Sequence, residues 1–460
     1  MRELAGDAPI LPARALAGDT PILPARTLAG DAALLVALKL ALGALVLALG
    51  FTHVSDDDYA RTVIAEQFAN RPRLDPSGTS WLPLPFWVAG LAMAACGRSL
   101  LVARGVAVVL GAASVVAPYL AMRAAKMERW PAFAATVLAM ALPWNAWLGV
   151  ATVPEAPAAA LLGGALLAMN DEAFRAGAAP WAAVALVAAS LSRYEAWPAC
   201  AVFAAFAIVR STRAPRAERT KLWLWAALAV AGPLAWMAWN AHAHGSAFHF
   251  VARVTNFRRA AGAADIPLRE KLLAYPWGLA HETPEVAVLG IAGIAGLVAK
   301  RSLRARWVWA AVGSAAILAF LVEGDLRDGA PTHHPERALA ALWWVLPTLG
   351  IDTLALAVAA AEPRRRRIAG AAAAASLGAW CLFLPARLRA YPGTSDWDRR
   401  DSQIARGEAM RARHVASAEV TPCSYEHFAL LAAWGEPERA QLNPLLHTPP
   451  TADCPRVVER

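Results

Sequence analysis

The sequence predicts an all-α polytopic membrane protein of about eleven transmembrane helices, with a small α/β domain at its C-terminus. Three observations carry this. The 460-residue chain is 58% hydrophobic and only 17% charged, with a mean hydropathy of +0.40, where a soluble chain carries about a quarter charged residues. Its 19 Trp and 32 Pro suit lipid, because Trp anchors at interfaces and Pro is tolerated inside spans. Lys and Arg arrive in short bursts between apolar runs, which is the pattern of membrane topology. The net charge of +9 therefore does not mark a nucleic-acid surface.

Residues 1–31 read as a disordered N-terminal tail, or as sequence upstream of the true start. They hold LAGDAPILPARA, then LAGDTPILPART, then a stub, too few copies to stack as a repeat fold. Residues 32–51 form the first span, with Lys39 inside it and no small-residue cleavage site after it, so it reads as an anchor. A first outer loop follows over 52–99. Within it 81–97 is apolar but short and Pro-rich, and reads as a surface or re-entrant helix.

The remaining spans are set by four basic bursts: Arg123 to Arg129, Arg210 to Lys221, Lys300 to Arg306, and Arg364 to Arg367. Placing all four in the cytoplasm gives spans near 100–122, 131–150, 156–170, 180–193, 196–210, 222–240, 285–300, 307–322, 337–360 and 368–386. The membrane unit then covers 32–386, with the N-terminus cytoplasmic and the C-terminus periplasmic in a bacterial inner membrane. Residues 387–460 form the outer domain, with AEVTPC as a strand, YEHFALLAAWG as a helix and CPRVV as a second strand. Cys423 and Cys454 are a candidate disulfide if that domain faces an oxidising compartment. Cys96, Cys200 and Cys381 fall in apolar runs and read as core residues.

This topology gathers the polar residues with chemistry on one face. Asp56, Asp57 and Asp58 follow the first span. Adjacent carboxylates raise one another's pKa, which suits a general base, although an acidic solvated loop has the same composition. With Glu155 they are candidate ligands for a divalent cation, Mg or Mn, Asp57 and Glu155 first among them. Alone, Glu155 is simply an acid at a helix N-terminus. Arg193 and Glu195 interrupt two apolar runs in SRYEAW, either as a local ion pair or with Arg193 as a phosphate partner. The loop 241–284 carries Arg253, Arg258, Arg259, Arg269 and Lys271, a basic set suited to an anionic lipid head group. His242, His244 and His249 lack zinc spacing. His333, His334, Glu336 and Arg337 stand at the mouth of a late span, where Arg337 is a phosphate partner or an interface anchor. Neither a Walker motif nor a serine nucleophile elbow is present.

These motifs resemble the GT-C superfamily of membrane glycosyltransferases, in its bacterial branch similar to protein O-mannosyltransferases and aminoarabinose lipid A transferases. An acidic motif with a following Tyr after the first span matches Asp56, Asp57, Asp58 and Tyr59. The family's proline-rich entry into an outer helix resembles Leu82 to Trp87, with Leu84 separating the prolines. Glu155 resembles its second acid, Arg193 its basic residue after a short span, and HPERALAALWWVLP its late motif, where Ala338 replaces the usual Tyr. The resemblance covers roughly 32–390 and reaches the superfamily, not the substrate. It implies a polyprenyl-phosphate sugar donor whose phosphate is held by Arg193, with Arg337 and Arg258 as further candidates. It also implies a lipid, glycan or protein acceptor, met by Glu155, Tyr59 and Glu195 and deprotonated by an Asp of the triplet, Asp57 foremost, with inversion at the anomeric carbon. The rival reading is a lipid-linked sugar flippase or transporter, which calls for charge near the bilayer midplane and repeated halves.

Overall fold

A computed structural model describes residues 25–260, 266–329, 335–389, 400–447 and 454–460. Helices dominate, and one small sheet lies near the C-terminus. Helix α1 (Ala25–Ala48) begins inside the stretch expected to be a tail. Asp31 is the reason: it is 5% exposed, paired with Arg129 at 2.7 Å and accepting from the Tyr119 hydroxyl at 2.5 Å. A buried ion pair holds a helical turn that composition alone assigns to a linker.

Six of the expected spans are helices long and apolar enough to cross a membrane, namely Arg26–Ala48, Leu100–Ala124, Arg216–His244, Arg301–Leu326, Leu342–Ala359 and Pro363–Arg389. Their outward faces expose Leu101, Val109, Leu234, Val312, Leu354 and Leu382, as lipid-facing helices do, and the chain is read as an integral membrane protein. A seventh span, near 285–300, is one arm of a pair, Leu268–Glu282 and Pro284–Ala299, bent by 104°. The other four expected spans are shorter than a full crossing among the described residues. The 131–150 run is broken: Arg129–Ala141 ends, Leu142 turns extended, and Pro143 starts a new six-residue helix. Lys39 serves the break. Its buried ammonium donates to the carbonyl of Met140 at 3.0 Å, left open where the first helix stops, and to that of Asn145 at 2.8 Å in the next. An apolar run therefore reports burial in this chain but not helix length.

The first loop holds α2 (Asp57–Asn70) and α3 (Leu84–Cys96). They pack together through Gly90, where an added Cβ would lie 2.4 Å from the Phe68 ring. The C-terminal unit docks on α2 and does not stand apart. Tyr59 and Val63 of α2 share one buried cluster with Met410, Val420, Leu430 and Trp434. Its sheet runs β2 (Ala440–Leu442), β1 (Ala418–Thr421), β3 (Arg456–Glu459), with β1 parallel to β2 and antiparallel to β3. Strand β2, three residues without alternation, is not visible in the sequence pattern. Cys423 and Cys454 are joined, with Cα atoms 5.9 Å apart.

Candidate active site

The N-terminus of α2 gives three neighbouring carboxylates three different surroundings. Asp58 is fully buried. It accepts from the backbone N–H of Val54 at 3.1 Å and Ser55 at 3.4 Å, and across the fold from Thr152 N–H at 2.9 Å. It is thus a bracket that fixes the loops preceding α2 and preceding Glu155. Asp56 accepts a two-pronged bond from Arg400, both contacts at 2.9 Å, and so ties the C-terminal unit to the start of α2. Asp57 is the accessible one, its side chain 43% exposed, with the Arg337 guanidinium 3.7 Å from it. Helical geometry separates them: consecutive residues on a helix start point about 100° apart.

Glu155 opens the helix Glu155–Leu167, where a carboxylate is favoured by the free N–H groups. It is 2% exposed. Its Oε1 receives Arg337 through Nη2 at 2.5 Å and Nε at 3.1 Å, and Arg193 Nη1 at 3.0 Å. Arg193 also clasps Glu195, and Arg337 reaches Ser55 Oγ at 3.4 Å. Residues distant in sequence, from α2, the turn before Glu155, the turn 192–195 and the short 3-10 helix Pro335–Leu339, therefore meet at one end of the bundle. Glu155, Arg193 and Arg337 line a narrow cleft whose walls include Ala158, Leu162, Ala189 and Ala338. Ala338, where the resembled family carries Tyr, is buried against that cleft.

A third guanidinium belongs to the group. Arg61 is 6% exposed and lies 4.3 Å over the Trp81 ring and 5.7 Å from the Phe86 ring centre. Among the described residues it makes no hydrogen bond or ion pair, and the charges that bear on it are Glu155, Asp57, Arg193 and Arg337. The sequence holds a signal for it, since Asp57 and Arg61 stand four apart on one helical face. What sequence could not supply is the aromatic shelf, which comes from the loop twenty residues on.

Other candidates lie elsewhere. Tyr59 is 1% exposed, its hydroxyl shared with His53 Nδ1 at 3.2 Å; burial, then Asp58 beside it, pushes the phenol well above its usual range. Arg258 is paired with Asp325 and sits 4.0 Å from Asp328. Between that pair and Arg193 stands buried Tyr275, which feels both charge sets. His333 and His334 lie outside the described residues. His244 and His249 stack at 4.2 Å, and His244 is 4.0 Å from Asp75. A divalent cation does not fit Asp57 and Glu155: both carboxylates face guanidinium groups, which compete for the same oxygens and repel a cation.

No family model and no curated protein matches the chain. Two solved structures of ArnT from Cupriavidus metallidurans are similar to it. The one bound to undecaprenyl phosphate is 16% identical over 88% of this chain and 75% of that one, with a TM-score of 0.49. The apo state is 15% identical over 90% and 75%, with a TM-score of 0.45.

Proposed function

We propose that the chain is a GT-C-like integral membrane glycosyltransferase that moves a sugar from a polyprenyl-phosphate donor to an acceptor hydroxyl at the periplasmic face. The observation that supports this most is one accessible carboxylate, Asp57, beside three guanidinium groups around Glu155, of which Arg61 and Arg337 are buried and Arg193 half-buried. In the reaction, Asp57 takes the proton of the acceptor hydroxyl. The acceptor oxygen bonds to the anomeric carbon from one side while the bond from that carbon to the phosphate oxygen breaks on the other, so configuration inverts. The electron pair leaves on polyprenyl phosphate, and fixed guanidinium groups aimed at the developing charge stabilise it.

Arg193 and Arg337 are already engaged by carboxylates, whereas Arg61 has five N–H donors and no acceptor. Arg61 is therefore the first partner assigned to the donor phosphate, with Arg337 bridging phosphate and Asp57. Arg193 and Glu155 hold Arg337 in place. The cleft's charged side, Glu155, Arg193 and Arg337, faces an apolar wall of Ala158, Leu162 and Ala189, which suits the start of an isoprenoid chain beside its phosphate.

The test uses the full chain in membranes supplied with labelled polyprenyl-phosphate sugars. Transfer is expected, and Asp57→Asn should lower it about 10²–10⁴-fold, the range for loss of a general base, at unchanged expression. Transfer surviving that substitution moves the base elsewhere. No turnover with any donor, alongside movement of the lipid-linked sugar across the bilayer, returns the flippase reading.

A further inference from the structure

At the far end of α2, on the C-terminal side of the same helix, a cavity of about 240 Å³ lies between the turn that follows α3 and the C-terminal unit. It is lined by Arg98, Arg411, His414, Trp434, Gly435 and Glu436. Its lining is donor-rich. The Arg411 guanidinium makes no hydrogen bond or ion pair among the described residues. Trp434 forms one wall with its ring, 1% exposed; its indole N–H is buried away from the cavity and finds no acceptor among the described residues. The neighbouring acids do have cations: Glu438 meets Arg98 at 2.6 Å, and Glu436 meets Arg439 at 2.6 Å. Arg411, itself exposed to solvent, is left without an acid partner among the described residues.

Two further features keep the space open and electropositive. Gly435 ends the helix His427–Trp434 in the left-handed region, φ +79, and a Cβ there would lie 2.8 Å from the Arg98 carbonyl and 3.8 Å from Arg411 Nη1. Any side chain at 435 would crowd the groups that line the cavity. Behind it sits Glu66, fully buried, with neither carboxyl oxygen hydrogen-bonded, and Arg98, Arg411 and Glu438 are the charges that bear on it. Burial favours its neutral acid, which does not repel an anion.

We propose that this cavity binds a small oxyanion, a phosphate or carboxylate group on a molecule the size of one sugar ring, with Arg411 as the forked donor. The volume sits below that of pockets for drug-sized ligands, and guanidinium matches both oxyanions in a two-pronged way. The site is separate from the one above. Glu66 lies nine residues along α2 from Asp57, about 14 Å at the helical rise, and the proposal stands whether or not the chain transfers sugars.

The experiment is saturation-transfer NMR on the full chain in neutral detergent with glucose 6-phosphate, glucuronate and glucose as probes. Binding is expected for at least one anionic sugar and not for glucose, and which anion binds identifies the group. Arg411→Gln should weaken it about tenfold or more. Arg413→Gln, an exposed neighbour paired with Glu459, should leave it unchanged. Equal affinity for glucose, an Arg411→Gln protein that binds as before, or an equal loss in Arg413→Gln overturns the assignment, as does binding of neither anion.

Discussion

Two buried glutamates, Glu155 and Glu66, face opposite electrostatic situations in the same molecule. Glu155 lies 2.5 Å from Arg337 and 3.0 Å from Arg193, so its charge is matched where water is excluded. Glu66 is as deeply buried, yet hydrogen-bonds to nothing among the described residues, and burial pushes its pKa well above the usual carboxylate range. The contrast teaches what each is for. A paired buried acid orients the guanidinium groups around it and fixes a site's geometry. An unpaired one survives by staying protonated, and it lets a neighbouring cavity keep excess positive charge.

The largest effect that sharpens this contrast is on Asp57, whose accessible carboxylate depends on the paired network beside it. Asp57→Asn should remove transfer by orders of magnitude with little change in stability, since among the described residues its one ion-pair contact is a loose one, Arg337 at 3.7 Å. Next comes Glu155→Ala. It takes from buried Arg337 its nearest acid, leaving Asp57 at 3.7 Å, and leaves Arg193 with Glu195 alone; breaking a buried pair costs about 3–5 kcal/mol, and denaturant unfolding in detergent should show it, together with loss of transfer. A variant that unfolds like wild type means water reaches those arginines and the matched-charge view of Glu155 is wrong.

Asp58→Asn ranks third. It replaces an acceptor of three backbone N–H groups and should cost about 1–3 kcal/mol. Its signature is the inverse of Asp57→Asn: stability falls first and activity follows from it. That inversion separates a bracket from a base within one acidic triplet.

These distinctions mark the limit of what the sequence carries. Part of the fold is written there: apolar runs survive as helices, the basic bursts as helix ends and the short turns between them, and the Cys423–Cys454 pair as a bridge. The acidic stretch and the residues Glu155, Arg193 and Arg337 are also visible as polar interruptions. Which Asp is free is not visible, since that depends on Arg400, 344 residues from Asp56, and on Thr152, 94 residues from Asp58. Arg61 went unassigned for a related reason: its role rests on the absence of an acid partner and on Trp81 beneath it. The eleven-span pattern thinned because composition cannot see Leu142 break a helix or a 104° bend follow Thr283.

The smallest effect concerns Glu66, where the sign matters more than the size. Its folded pKa lies above the ordinary 4.5, so the folded state binds more protons than the unfolded one over that interval. Whatever stability Glu66 contributes is therefore complete below about pH 4.5 and is lost as pH rises towards the folded value. Glu66→Gln, which cannot ionise, removes that loss. The variant should unfold at a temperature close to wild type's near pH 4.5 and above it at pH 7, with the gap widening steadily between. Arg98 and Arg411 pull the other way, favouring the carboxylate, and Glu438 opposes them. If those cations win, the gap reverses, Glu66 is a charged partner like Glu155, and the two glutamates differ only in geometry.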